Sequence, residues 1–218
     1  MVDYEIIATG SKGNALVLNN SILIDLGVPW KAIKGVSHKL QLVILTHKHG
    51  DHFNRSTIRR LAQERPTVRW CVPEWLVERL LACEVKKRNI DVMEMDKRVS
   101  YSFFLSVCPQ KTTHNVENCC WHIFIHDNEK GAPVSVFYAT DTNSLDRIEA
   151  KGYDLYFVEA NYTESEITER IRRKQENDEF VHEWEVLKNH LSKESAEDWL
   201  YKNMAQHSQY VLLHQHED

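Results

Sequence analysis

A short apolar run ends abruptly in a dense group of metal-type side chains. Residues 40–47 read "LQLVILTH", and the chain continues "KHGDHFN". The run is short and β-branched, as a strand buried on both faces would be. Its last residues open a loop holding His47, His49, Asp51 and His52. A strand buried on both faces belongs to the interior of a sheet covered by helices. A loop this polar must emerge at the sheet's edge, where α/β folds build their sites. Along an extended segment, residues i and i+2 share a face, so His47 and His49 can chelate one ion together. Gly50 is then expected to allow a sharp turn, after which Asp51 and His52 face a second ion. Imidazole nitrogens and carboxylate oxygens suit Zn²⁺, Mn²⁺ and Fe²⁺.

The rest of the chain repeats this style. "YEIIATG", "ALVL" and "SILID" read as strands, with "NN" a hairpin turn between the last two and "GSKGN" a tight loop before them. "STIRRLAQE" is expected to be a helix capped by Ser56. "TVRWCV" is a strand, and "PEWLVERLLACE" a helix with its proline in the first turn. "YSFFLSVCPQ", "CCWHIFIHD", "VSVFYATDT", "DLYFVEAN" and "QYVLLH" read as further strands. "LDRIEAKGY" is expected to be a short helix stopped by Gly152, and "ESEITERIRRKQENDEF" and "KESAEDWLYKNM" are helices. Asp141, Glu159 and His214 stand, like His47, just past strand ends. The order predicts two mixed sheets packed face to face with helices outside, an αββα sandwich forming one domain over residues 1–218.

The segment His47-x-His49-x-Asp51-His52 resembles the HxHxDH signature of the metallo-β-lactamase fold superfamily. The likeness extends along most of the chain. "GSKGNALVLNNSILIDLG" is similar to the family's first motif, which implies that Asp25 supports the metal loop. His114 after "QKTT", Asp141 in "YATDT" and His214 in "YVLLHQHED" fall in the order of the third, fourth and fifth motifs. The resemblance implies that His47, His49 and His114 hold one ion. Asp51, His52 and His214 would hold the other, with Asp141 between them and a bridging hydroxide as nucleophile. Zn²⁺ is the first expectation for both ions, with Mn²⁺ and Fe²⁺ as alternatives. Taken singly, His114 could be a loop histidine and Asp141 a helix cap. His216 rivals His214, because it lies two residues on and "HQHED" departs from the sequel common in relatives.

Two features choose a branch. True lactamases place a cysteine or serine near the fourth motif, where this chain has Asp141 and no nearby cysteine. "NHLSKESAEDWL" is similar to an element of the phosphodiesterase branch, which includes tRNA 3′-processing endonucleases, PhnP-type phosphodiesterases and the YycJ/WalJ-like group with phage-encoded members. There the histidine, here His190, binds no metal and is proposed to protonate the leaving oxygen, a task that suits imidazole at neutral pH. Ser192 would cap the helix that follows. "VEANY" resembles that branch's "HEAT" element, which implies that Glu159 supports His190. Asp51, His190 and Glu159 are thus the expected catalytic residues.

The expected activity is dinuclear, metal-dependent cleavage of phosphodiesters, with nuclease first. A cyclic-nucleotide phosphodiesterase, such as phages use against nucleotide defence signals, is the alternative, and a lactone or carboxylic ester hydrolase is the rival from another class. The partner is a nucleic acid or nucleotide substrate, and a homodimer is compatible with the family. A net charge of −5 disfavours a broad nucleic-acid groove. It leaves room for local basic stretches at 85–89 ("VKKRN"), 170–175 ("RIRRKQ") and 54–60 ("NRSTIRR"), the last directly after the metal loop. No apolar run reaches the roughly 18 residues of a membrane span, and "MVDYEIIATG" has no basic-then-apolar leader, so a cytoplasmic location is expected.

Overall fold

The computed structural model describes residues 2–102, 104–126 and 133–214. The chain divides into two compact units, Met1–Val99 and Ser100–Asp218. Each is built on one six-stranded mixed sheet.

The first unit runs β1 (Tyr4–Ala8), β2 (Ala15–Leu18), β3 (Ile22–Ile24), α1 (Trp30–Ile33), β4 (Leu42–Ile44), α2 (Arg55–Glu64), β5 (Arg69–Pro73), α3 (Val77–Leu81) and β6 (Ile90–Met93), with the strands in sequence order across the sheet. β1, β2 and β3 pair antiparallel, and β3 to β6 pair parallel. Asn19 and Asn20 take φ of 46° and 56° inside a tight turn that the Ser21 N–H closes on the Leu18 carbonyl at 3.1 Å, before Leu18 pairs with Ile22. The parallel register aligns Ile24, Ile44 and Cys71, so the segments after β3, β4 and β5 leave the sheet at one edge. β4 is wholly buried, and the core gathers Leu23, Val43, Leu45, Ile58, Leu61 and Trp70.

Two local expectations are corrected here. Asn54, not Ser56, caps α2: its side chain accepts from the Thr57 N–H at 3.1 Å, and Ser56 donates to the same oxygen at 2.8 Å. Pro73 closes β5 rather than opening a helix. A 3₁₀ turn over Glu74–Leu76 precedes a helix of only five residues.

The second unit runs β7 (Val99–Ser102), β8 (Leu105–Thr112), β9 (Asn118–Ile125), β10 (Val134–Ala139), β11 (Leu155–Glu159), α4 (Glu164–Glu176), α5 (Glu183–Asn189), α6 (Lys193–Asn203) and β12 (Gln209–Leu213). Its sheet order is β12-β11-β10-β9-β8-β7. β8, β9 and β10 pair antiparallel, whereas β10, β11 and β12 pair parallel. Ala139 lies opposite Val158, and Glu159 opposite Leu213, so Asp141, Glu159 and His214 come to the same edge. Phe137 stacks on Trp199 of α6 at 4.9 Å between ring centroids, inside a core with Tyr156 and Leu200. Adjacent Cys119 and Cys120 are both buried, as expected of a strand covered on both faces.

The expected helix over "LDRIEAKGY" does not form. Its backbone is satisfied by distant side chains instead: Tyr156 Oη donates to the Ala150 carbonyl at 2.5 Å, and the Ala150 N–H donates to Asn203 Oδ1 at 3.0 Å. The segment ends in a turn at Gly152, with φ of 68°. Conversely α1, β6 and α5, which no sequence signal singled out, are present. Among the described residues no helix is long and apolar enough to cross a membrane.

Candidate metal centre

In the first unit the metal-type residues are placed by Asp25, one position past β3. Asp25 is fully buried and takes a φ of 56°, a left-handed conformation that aspartate tolerates better than most residues. Its Oδ1 accepts from the Thr46 N–H at 2.9 Å and from Thr46 Oγ1 at 3.0 Å. Its Oδ2 lies 2.7 Å from His52 Nδ1. A carboxylate only accepts, so His52 carries its proton on Nδ1 and its lone pair on Nε2. The Thr46 hydroxyl spends its one hydrogen on Asp25, so at 3.0 Å it accepts from His47 Nδ1–H. The lone pair of His47 is therefore on Nε2, 3.2 Å from His49 Nδ1. One buried carboxylate thus sets two imidazoles, the arrangement in which histidine ligands are usually held. Asp51 Oδ2 lies 3.5 Å from His52 Nε2, and the His47 and His52 ring centroids are 4.3 Å apart.

The backbone of this loop is held as firmly. Asn14 N–H donates to the Asp51 carbonyl at 2.7 Å, Leu26 N–H to the His52 carbonyl at 3.0 Å, and Asn54 N–H to the Leu26 carbonyl at 2.7 Å. Gly27 N–H donates to the Asn14 carbonyl at 2.9 Å. The loop passes so close over Gly27 that a Cβ there would stand 1.6 Å from the Asp51 carbonyl oxygen. At Gly50 an added Cβ meets nothing within 4 Å, and its φ lies outside the left-handed range. The glycine that the loop requires is therefore Gly27, not Gly50. Asn14, buried at the end of "GSKGN", was also not anticipated. Its Oδ1 accepts from the Gly10 N–H at 2.9 Å, and its Nδ2 lies 2.8 Å from His52 Nε2.

In the second unit a matching group collects past β10, β11 and β12. Asp141 and His214 take φ of 51° and 56°, and His214 Nδ1 is 2.9 Å from Asp141 Oδ1. Asn118 Nδ2 fixes the Asp141 backbone by donating to the carbonyls of Thr140 and Asp141 at 2.9 and 2.7 Å. His114 donates from Nδ1 to the Asn189 carbonyl at 3.1 Å, which turns Nε2 toward Asp141 Oδ2 at 3.8 Å. Glu159, fully buried, accepts from the Thr142 N–H at 2.8 Å through Oε2, and its Oε1 lies 2.5 Å from His190 Nδ1. Asp141, Glu159, His190 and His214 offer ligand-type atoms all within 4.8 Å of one another. Burial lowers the His214 pKa, but hydrogen bonds and charge from Asp141 and Glu159 outweigh it and push the value up to about 10.

His190 sits where α5 ends and α6 is about to begin. Its N–H closes α5 on the Val186 carbonyl at 2.9 Å, and Ser192 caps α6 by accepting from the Ser195 N–H at 3.1 Å. Its side chain is 19% exposed, against 0% for Glu159 and 7% for His214. The first unit thus brings together His47, His49, Asp51 and His52, and the second His114, Asp141, Glu159, His190 and His214. His216, the rival to His214, lies outside the described residues.

The model of the beta-lactamase superfamily domain matches residues 24–214. The structure is similar to human tRNase Z, short form, with a TM-score of 0.72 at 13% identity over 100% of this chain and 93% of that one. It is also similar to the metallo-β-lactamase fold protein YhfI from Bacillus subtilis, with a TM-score of 0.69 at 16% identity over 97% of this chain and 85% of that one. A diphosphatase from the PhnP family aligns with a TM-score of 0.62 at 15% identity over 99% of this chain and 87% of that one. No curated protein matches the chain in sequence. At these identities the likeness concerns the fold, and the two six-stranded mixed sheets with their helices fit the α/β metallo-β-lactamase class.

Proposed function

The chain belongs to the beta-lactamase superfamily, and from that premise we propose that it hydrolyses phosphodiester bonds, with nucleic acid as the substrate. The observation that carries this reading is His190. It lies on Glu159 Oε1 at 2.5 Å, remains partly open to solvent, and is anchored by the end of one helix next to the cap of another. A ligand for metal alone does not need a solvent-facing imidazole backed by a buried carboxylate. A general acid needs both, one to hold the ring and one to exchange its proton.

The remaining donors fit divalent metal. His47 and His52 each have Nδ1 tied to an oxygen of the protein, as does His114, so Nε2 would be the coordinating atom, at His52 in exchange for its 2.8 Å contact with Asn14 Nδ2. His47, His49 and His114 would hold one ion, and Asp51, His52 and His214 a second, with Asp141 shared. When bound, such a pair lowers the pKa of water and neutralises charge on the phosphoryl group. Zn²⁺ suits this nitrogen-rich set, and Mn²⁺ or Fe²⁺ would also be accepted.

The chain's own residues do the rest. Asp25 fixes the facing direction of two imidazoles through Thr46 and His52. Glu159 accepts from His190 Nδ1–H, which directs Nε2 outward to deliver a proton to the departing sugar oxygen. An alkoxide leaving group needs that proton, whereas a nitrophenolate does not. His190→Ala should therefore keep its metal and lose about 10²–10⁴ in turnover on a short oligonucleotide. It should lose much less on bis(4-nitrophenyl) phosphate. Equal losses on both substrates would refute the acid role, and unchanged oligonucleotide cleavage would refute it outright. Wild-type protein inactive on every phosphodiester, yet active on lactones or carboxylic esters, would overturn the proposal itself.

A further inference from the structure

Directly beside the first unit's histidine loop lies a cavity of about 310 Å³, lined by Phe53, Arg55, Trp75, Glu78, Arg79 and Ala82. We propose that it is a subsite for one nucleotide of the substrate strand, its base against Trp75 and its phosphate on Arg55 and Arg79. This rests on the phosphodiester reading above and adds where the strand is gripped.

The position comes first. Phe53 immediately follows His52, and Arg55 stands two residues further on. The Trp75 indole N–H donates to the Thr46 carbonyl at 3.4 Å, so the ring is tied to the residue preceding His47. Trp75 is half-buried, packed against the core on one side, and lines the cavity on the other. A π-face fixed beside an opening is what an unpaired base stacks on, whichever base it is.

The charges come second. Arg55, Arg59 and Arg60 all lie on α2. Arg59 pairs with Glu84, and Arg60 pairs with Glu64 while covering Trp30. Among the described residues neither Arg55 nor Arg79 has an ion-pair partner, and both are exposed at the cavity. Two unengaged guanidinium groups facing a single carboxylate, Glu78, leave the cavity net positive in a chain of net charge −5. Guanidinium is the cation best matched to phosphate oxygens. Glu78 cannot help hold phosphate but can accept from a base amino group. Of the other basic stretches, the one on α4 is partly engaged: Arg172 is held by Glu169 and Glu176, and Lys174 by Glu183. A larger cavity of about 530 Å³ in the second unit is lined by Asp146, Glu149 and Asp198 as well as lysines, a poorer match for an anion.

The test pairs kinetics with binding in the metal-loaded protein. Arg55→Ala/Arg79→Ala should raise KM for a short single-stranded oligonucleotide at least tenfold. Its kcat/KM loss on that substrate should exceed its loss on bis(4-nitrophenyl) phosphate by a similar factor. Trp75→Phe, which preserves a ring, should lose less than Trp75→Ala. In the His190→Ala background, which slows cleavage of the strand, tryptophan quenching by the same oligonucleotide should weaken at least tenfold when the arginines are removed. Equal losses on both substrates, or binding indifferent to the arginines, overturn the subsite. Arginine-dependent binding in a protein that cleaves no phosphodiester would uphold the subsite and refute the reaction instead.

Discussion

Gly27→Ala is the substitution whose cost the structure specifies most directly. The added Cβ would lie 1.6 Å from the Asp51 carbonyl oxygen and 2.6 Å from the His52 nitrogen, both backbone atoms. Real Cβ contacts do not fall below 3.0 Å, so the loop must retreat by at least 3.0 − 1.6 = 1.4 Å. That retreat strains the backbone bonds Asn14–Asp51, Leu26–His52, Leu26–Asn54 and Gly27–Asn14. Losing two to four of them, at about 1 kcal/mol each, costs about 2–4 kcal/mol. For a chain of this size that lowers Tm by roughly 5–15 °C. A misplacement of about 1 Å at reacting groups costs on the order of 10² in rate, so turnover should fall at least that far. The comparison is Gly50→Ala in the same loop, where a methyl group meets nothing within 4 Å and stability should change by no more than about 0.5 kcal/mol. Thermal melts, metal content and phosphodiester turnover on both variants decide the matter. If Gly27→Ala kept the parent's Tm and metal, or if Gly50→Ala were equally damaging, the close backbone approach would not be what shapes the loop.

Other outcomes follow from the same geometry. Asp51→Ala should reduce metal content by about one ion per chain and abolish turnover, as elemental analysis and a kinetic assay would show. A chelator should lower the melting point by about 5–10 °C, because ligand at 100 times its Kd stabilises by about 2.7 kcal/mol; an unchanged melt would argue against resident metal. In chelated protein, His214 contributes stability in a defined window. Its pKa is raised from 6.5 to about 10, so its contribution is complete below pH 6.5 and is lost as pH rises through about 10. The urea midpoint of the chelated protein should therefore fall between pH 7 and 10, and His214→Asn should flatten that slope.

Most strands were readable from the sequence because their signals are local. "ALVL", "LVI" and "VSVFYA" are buried and β-branched or aromatic, and "NN" marks its own turn. Much of what escaped depends on partners far along the chain. The segment "LDRIEAKGY" has helical character, but Ala150 is bonded by Tyr156 and Asn203, the second of them 53 residues away. Ser56 and Asn54 are both good caps, and only the geometry around Thr57 chooses between them. The metal-type residues announced themselves by residue type and spacing. Asn14 did not, since its bonds to Asp51 and His52 span 37 and 38 positions. Gly27 had no signal beyond being a glycine, and Gly50 looked more important because it lies among the histidines.

Asp25, Asp141 and His214 share a left-handed backbone, and this governs how their chemistry can be probed. An alanine placed there changes two things at once, removing a side chain and straining a turn that L residues without a short polar group rarely adopt. A fall in activity in such a variant would not report on the carboxylate or imidazole alone. Asparagine tolerates the same dihedral angles but exchanges one acceptor oxygen for an N–H₂ donor, which at Asp25 would face either the Thr46 N–H or His52 Nδ1–H. Asp141→Asn and Asp25→Asn therefore spare the backbone and report on the carboxylate's charge and hydrogen bonds together, and libraries at these three positions are best confined to aspartate, asparagine, histidine and glycine.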